Sequence, residues 1–383
     1  MGRPVEAAVH RLYATHPAGA SVYTLPRAPP FVTHDIALLP GDGIGPEVVD
    51  ATVPLLRALG ERHGFEVEFT RYDWGSDRYV ERGEMIPEDA PDRLRPHDAI
   101  LLGAMGDPRV PDHVSSTEGH LVIRKAFDHY VNLRPARLYE GAPTPLAGYE
   151  GGDIDVLWFR ENTEGEYVDI GGRLARGGRT EMALQTAVFT HDGVERIARA
   201  AFEAALDRGR KVTNVTKSNA LPYGPVFWDE VVEEVATDYP EVELEHLFVD
   251  AANMDLALRP EEFDVVVSSN LFGDILTDLT AAVTGGLGLA PSANLNPDVD
   301  DVPGMFEPVH GSAPDIAGEG VANPLATVLS IALMLEDIDE DDAAGTLREA
   351  VEGHLADPDA PRTPDLGGEA GTDAVAESVR QRL

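Results

Sequence analysis

Asp35-Ile36-Ala37-Leu38-Leu39-Pro40-Gly41-Asp42-Gly43-Ile44-Gly45-Pro46-Glu47-Val48-Val49 reads as a short apolar strand, a glycine turn and the start of a helix. Pro46 suits the first helical turn, where its missing N–H costs nothing. Working outward, residues 65–69 alternate like a half-exposed strand, and residues 98–103 form a buried strand ending in glycine. Residues 156–159, 211–216 and 245–250 also read as strands, with helices over 193–208 and 224–237. Strands alternating with helices predict an α/β fold with a largely parallel sheet. The strand at 181–190 flanks a Gly/Arg-rich excursion, 171–179, that suits a protruding arm. The acidic run 336–342 is expected to be a solvated loop between two C-terminal helices. Residues 1–33 are proline-rich and aperiodic, so a disordered extension is expected there, with a start codon chosen too far upstream as one origin.

The length of 383 residues suggests two domains, because single cores stop growing near ~250–300 residues. The chain has no apolar run of about 18 residues and no secretory leader pattern. Zero cysteines exclude disulfides, Fe–S clusters and thiolate zinc sites. Together these features suggest a cytoplasmic protein that does not engage membranes. The formal charge of −38, from 68 acidic side chains spread along the chain, argues against nucleic-acid binding. It suits a halophile's salt-rich cytoplasm, where screening suppresses repulsion. Lysine occurs only at Lys125, Lys211 and Lys217, which marks each as a candidate for a specific task.

Two blocks carry chemistry. In Asn270-Leu271-Phe272-Gly273-Asp274-Ile275-Leu276-Thr277-Asp278, the two aspartates lie four apart and share one helix face. Like charges so placed favour a bound cation, and hard oxygen donors suit Mg²⁺ or Mn²⁺; the alternative is an aspartate that merely favours a helix N-terminus. In Phe306-Glu307-Pro308-Val309-His310-Gly311-Ser312-Ala313-Pro314-Asp315-Ile316-Ala317-Gly318, continuing to Asn323, small residues admit close backbone approach to a ligand. His310 offers a ring for stacking, and Asp315 could accept from a ribose diol while repelling a 2′-phosphate. The turn at Gly41–Gly45 is not a dinucleotide fingerprint, since Pro46 stands where that motif needs a small residue; a tight turn lining a cleft is the better reading.

With Asn132-Leu133-Arg134-Pro135 and Arg160-Glu161-Asn162-Thr163-Glu164-Gly165, these blocks occur in an order that closely resembles the metal-dependent β-decarboxylating dehydrogenases of isocitrate, 3-isopropylmalate, homoisocitrate, tartrate and D-malate. The resemblance runs from about residue 35 to the end. It implies the isopropylmalate-dehydrogenase-like fold, with a non-Rossmann NAD site and a dimer arm. Residues 34–129 and 285–383 would form a discontinuous cofactor domain, and residues 130–284 a substrate and dimerisation domain. It implies that Arg124, Arg134 and Arg160 grip substrate carboxylates, that Asp250, Asp274 and Asp278 bind metal, that Tyr167 donates a proton and that Lys217 assists deprotonation. His310, Gly311, Ser312, Ala313, Asp315 and Asn323 would contact the cofactor. NAD and Mg²⁺ or Mn²⁺ are the cofactors implied, with K⁺ left open. Lys217 and Asp250 would enter the site of a neighbouring subunit, so a homodimer or higher oligomer is expected.

Selectivity in that family sits just before the first arginine, here Ser115-Ser116-Thr117-Glu118-Gly119-His120-Leu121. His120 stands where isopropylmalate enzymes place the first of two apolar residues, and Glu118 would oppose the third carboxylate of isocitrate. Flanking stretches such as Tyr72-Asp73-Trp74-Gly75-Ser76-Asp77 and Ala290-Pro291-Ser292-Ala293-Asn294-Leu295 are similar to the tartrate/D-malate branch. That branch is expected, with isopropylmalate and then isocitrate as alternatives; Thr117 and Glu118 depart from its pattern. A silent relative that binds a hydroxy acid, and an acidic scaffold, are the readings from other classes.

Overall fold

The computed structural model describes residues 32–383. The chain opens with β1 (Val32–Gly41), α1 (Gly45–His63) and β2 (Phe65–Arg71). Pro46 lies in the first turn of α1, and Gly64, at φ 89, closes its end by returning its N–H to the Gly60 carbonyl. Short helices α2 (Ser76–Arg82) and α3 (Ala90–Leu94) lead to β3 (Ala99–Ala104). Next come α4 (Asp112–Ser115), a π-helical turn at Ser116–His120, and α5 (Leu121–Ala126). The middle contains β4 (Val131–Arg137), β5 (Asp155–Glu161), the arm strands β6 (Gly171–Leu174) and β7 (Met182–Gln185), and α6 (His191–Leu206). It continues through β8 (Lys211–Thr216), α7 (Gly224–Ala236), β9 (Glu243–Phe248), α8 (Val249–Leu258), β10 (Val265–Ser268) and α9 (Asn270–Val283). β11 (Pro291–Leu295), β12 (Gly304–Pro308), α10 (Leu325–Asp337), α11 (Asp341–Ala356) and α12 (Thr372–Arg380) complete it.

Ten strands form one sheet in the order β2-β1-β3-β12-β11-β4-β5-β10-β8-β9. The outer pairings are parallel, as the alternating pattern predicts. The centre differs: β12–β11, β11–β4 and β4–β5 are antiparallel. The cause is local. No helix lies between β4 and β5 or between β11 and β12, and a parallel return needs a long crossover. The expected domain division therefore falls between β11 and β4, two strands hydrogen-bonded to each other. α10 lies against β11 and β12 and is buried from Leu325 to Glu336, so the core continues across this seam.

Three readings need correction. Val32 and Thr33 already pair with Phe65 and Glu66 in β1, so the extension is shorter than 33 residues; residues 1–31, where the expected disorder falls, lie outside the described residues. Asp250 sits in the first turn of α8 rather than at a strand end. Glu336, in the acidic run, is buried and pairs bidentately with Arg348, because α10 carries it into the core before the chain turns.

Candidate active site

The site is built on the antiparallel seam. Register pairs Asn132 with Arg160 and Arg134 with Trp158, so Arg134 and Arg160 are diagonal neighbours on one face. Leu133 and Phe159 pair on the other. Arg160 donates from Nε and Nη2 to Asn270 Oδ1 at 3.0 and 2.7 Å, and from Nη1 to Asp274. Arg134 donates to Thr277 Oγ1 at 2.6 Å and reaches Asp274 Oδ1 at 3.5 Å. These partners all lie on α9. Gly273 lets that helix approach, since a Cβ there would stand 2.7 Å from Arg160 Cγ. Tyr167 donates to Asp274 Oδ2 at 2.8 Å, with its ring beside the Arg160 guanidinium.

Arg124, on α5, joins from the other half of the sheet. It donates to Glu307 Oε1 at 2.5 Å and to Asn162 Oδ1 at 3.2 Å. Burial alone would push the Glu307 carboxyl up, but Arg124 above all, with His120 and Asn294, holds it down at about 2. Burial likewise opposes charge on Asp274, yet Arg160, Arg134 and Tyr167 keep its pKa below the ordinary value. Asp278, one turn on and more exposed, shifts upward through burial and the Asp274 charge. Burial and the neighbouring guanidiniums push Arg160 down to about 9. Three cations thus face two carboxylates, Asp274 and Glu307, and Nε of Arg124 and of Arg134 has no partner among the described residues. A substrate carboxylate can balance the remaining charge and take up donors of this kind.

These side chains line a cavity of about 240 Å³ together with His120, Leu121, Met105, His310 and Gly311. Burial and Arg124 depress His120 to about 4, so its ring is neutral at pH 7. His310 is held by Nδ1 to the Gly311 carbonyl at 3.0 Å, while its buried Nε2 has no partner among the described residues. The glycine turn lines no part of this cavity. It packs behind: Gly43, at φ 59, has space only for hydrogen, because a Cβ would meet the Ser312 carbonyl oxygen at 1.9 Å. Ile44 N–H donates to that same oxygen at 2.8 Å, which fixes the cofactor-block candidates to α1. Asp42 is buried and accepts from Ser76 and Gly106, so its role is to anchor the turn.

Other candidates lie apart. Lys217 pairs with Asp250 beyond the ends of β8 and β9, outside the cavity. Among the described residues of one chain, Asp250, Asp274 and Asp278 do not form a set whose ligand atoms all lie within 4.8 Å of one another. Ser312 and Ala313 continue the loop past Gly311, Ala313 at φ 39, and Asp315 is exposed. Asn323 is engaged with Asp365 and with the Leu325 N–H at the head of α10. Glu307, Asn270, Thr277 and Asn162 have no role in the sequence reading. The signal that could have found them is the need of every buried guanidinium for acceptors.

The model of the isocitrate/isopropylmalate dehydrogenase family matches residues 35–379, and the chain belongs to that family, a set of metal-dependent decarboxylating dehydrogenases. The chain is 49% identical to a 3-isopropylmalate dehydrogenase of Thermobifida fusca, over 92% of this chain and 98% of that protein. It is 48% identical to a decarboxylating D-malate dehydrogenase of Escherichia coli, over 91% of this chain and 98% of the relative. Among solved structures it resembles an isocitrate dehydrogenase from Methylococcus capsulatus, with TM-score 0.82, 38% identity, and coverage of 91% and 99% of the two chains. Among the described residues, no helix is long and apolar enough to cross a membrane.

Proposed function

We propose that this dehydrogenase oxidatively decarboxylates D-malate or tartrate with NAD. The observation that carries the reading is the convergence of Arg124, Arg134, Arg160, Tyr167 and Asp274 on one small cavity whose selectivity turn contributes Ser116 and His120. A C4 dicarboxylate with a polar or absent C3 substituent suits that lining. Leu121 and Met105 on the same wall favour a branched apolar substituent, so 3-isopropylmalate is the second reading. Both activities are named among the relatives, whose near-equal identities do not separate them. A panel of D-malate, the tartrates, 3-isopropylmalate and isocitrate, each run with NAD and NADP, is the test. Higher kcat/KM for 3-isopropylmalate would overturn the substrate; no turnover of any would leave a silent binding relative.

In this reading the three guanidiniums hold the two carboxylates bidentately. Tyr167 keeps its proton at Oη, because burial and the Asp274 carboxylate raise its pKa, and it delivers that proton to C3 after CO₂ departs. Lys217 assists removal of the proton from the 2-hydroxyl. Asp250, Asp274 and Asp278, an all-carboxylate donor set, would hold Mg²⁺ or Mn²⁺, which would supply Lewis acidity to the reaction. The unpartnered Nε2 of His310 and the close-packed Gly43–Ser312 turn fit a nicotinamide cofactor, which supplies the hydride acceptor. Exposed Asp315 favours NAD over NADP by repelling a 2′-phosphate.

The separation of Lys217 and Asp250 from the cavity supports a site completed by a second copy. So does the arm: Leu174, Met182 and Leu184 share one exposed face of β6–β7, and Met254, Leu258 and Ile275 are exposed on α8 and α9. Residues 130–284 form the substrate and dimerisation unit in this reading, and 34–129 with 285–383 the cofactor unit.

A further inference from the structure

Asn294 stands in the middle of the antiparallel seam and is fully buried. Register places it opposite Asn132 of β4, which is itself opposite Arg160 of β5. The three side chains form one row across the strands, on the face that carries Arg134 and Arg160. An amide end group offers two donors and two acceptor positions, and Asn294 uses all four. Its Oδ1 accepts from Asn132 Nδ2 at 2.9 Å and from Asn162 Nδ2 at 3.1 Å. Its Nδ2 donates to the Met305 carbonyl at 3.0 Å and to Glu307 Oε1 at 2.8 Å. A carbonyl and a carboxylate only accept, so the amide cannot turn over.

Two of these four partners are the groups that hold Arg124. Asn162 Oδ1 accepts from Nη1 and Glu307 Oε1 from Nη2. One buried amide therefore stands directly behind both ends of the guanidinium, accepting on one side and donating on the other. A carboxylate in its place could not donate to Glu307 while ionised, and an apolar side chain could hold neither group. Arg134 and Arg160 are set by strand register and by α9. Arg124 comes from α5, and no strand register fixes it against them. The Asn294 hub supplies that tie.

We propose that Asn294 is a positioning residue for substrate binding, setting Arg124 through Asn162 and Glu307. The proposal rests on the reading that Arg124 grips a substrate carboxylate. Steady-state kinetics on the preferred substrate, at saturating cofactor and metal, test it. Asn294→Ala and Asn294→Leu should each raise KM about tenfold with kcat within about threefold of native. Leucine refills the space that alanine empties, so a native KM in Asn294→Leu would reduce the role to packing and overturn the proposal. Arg124→Lys should raise KM on its own, and adding Asn294→Ala to it should change KM less than about twofold. An equal rise in both backgrounds would show that Asn294 does not act through Arg124. Asn162→Ala cuts one of the two links and leaves the hub in place, so KM should rise about threefold; an unchanged KM there also overturns the proposal. If Arg124→Lys alone leaves KM unchanged, the carboxylate reading of Arg124 fails and the proposal falls with it.

Discussion

Tyr167 and His129 make the residue scale testable. Tyr167→Phe removes the proton held at Oη and leaves the ring beside Arg160. Turnover is expected to fall about 10²-fold or more with KM little changed, measured as kcat on the preferred substrate; unchanged kcat would remove Tyr167 from the chemistry. His129 tests stability. It is fully buried, bonded through Nε2 to the Pro303 carbonyl at 2.9 Å, and burial depresses its pKa from 6.5 to about 4. Between those values the unfolded chain binds a proton that the folded chain refuses, so stability falls as pH drops through that window. The contribution lost by pH 5 is about 2 kcal/mol. Urea unfolding should show it in the native protein, and His129→Gln should reduce the dependence by about that amount, leaving the share of His120 and His354, which burial depresses likewise. At this scale the sequence was informative where a side chain's partners are close in the chain, as with Asp274 and Asp278. It was silent on Arg124–Glu307, whose partners are far apart in sequence and meet only across the sheet.

Elements explain what was legible and what was not. β1, α1, β2 and β8 can be read from periodicity and punctuation alone, since each strand or helix carries its own pattern. The antiparallel seam cannot, because β4, β5 and β11 look like ordinary buried strands and only their pairing differs. The site stands on that seam, so its residues could be named without their geometry. The arm leads to a prediction at this scale. Leu174→Glu with Leu184→Glu charges an already exposed face, so folding should survive while assembly fails. Light scattering should then give the mass of one chain, with activity reduced at least about tenfold. A full-activity monomer would refute the shared site. Mixing inactive Lys217→Ala with inactive Tyr167→Phe chains should restore activity toward roughly a quarter of native, because one site of each mixed dimer escapes both changes.

For the whole molecule, the charge of −38 dominates. Exposed carboxylates repel over a Debye length of about 10 Å at 0.1 M salt, and about 3 Å at 1 M. Thermal unfolding followed by circular dichroism should therefore show Tm rising by several degrees from dilute to molar KCl; a flat or falling Tm would separate the charge from any role in salt tolerance. The unbroken sheet has a mechanical consequence. Its two halves are not jaws on a flexible tether, because β11, β4 and β5 are hydrogen-bonded continuously between them. Rotation of one half of the sheet against the other is absorbed as extra twist in those three strands while their ladder stays intact. Closure then stores elastic energy, and the sheet itself supplies the restoring force that reopens the cleft for release of product.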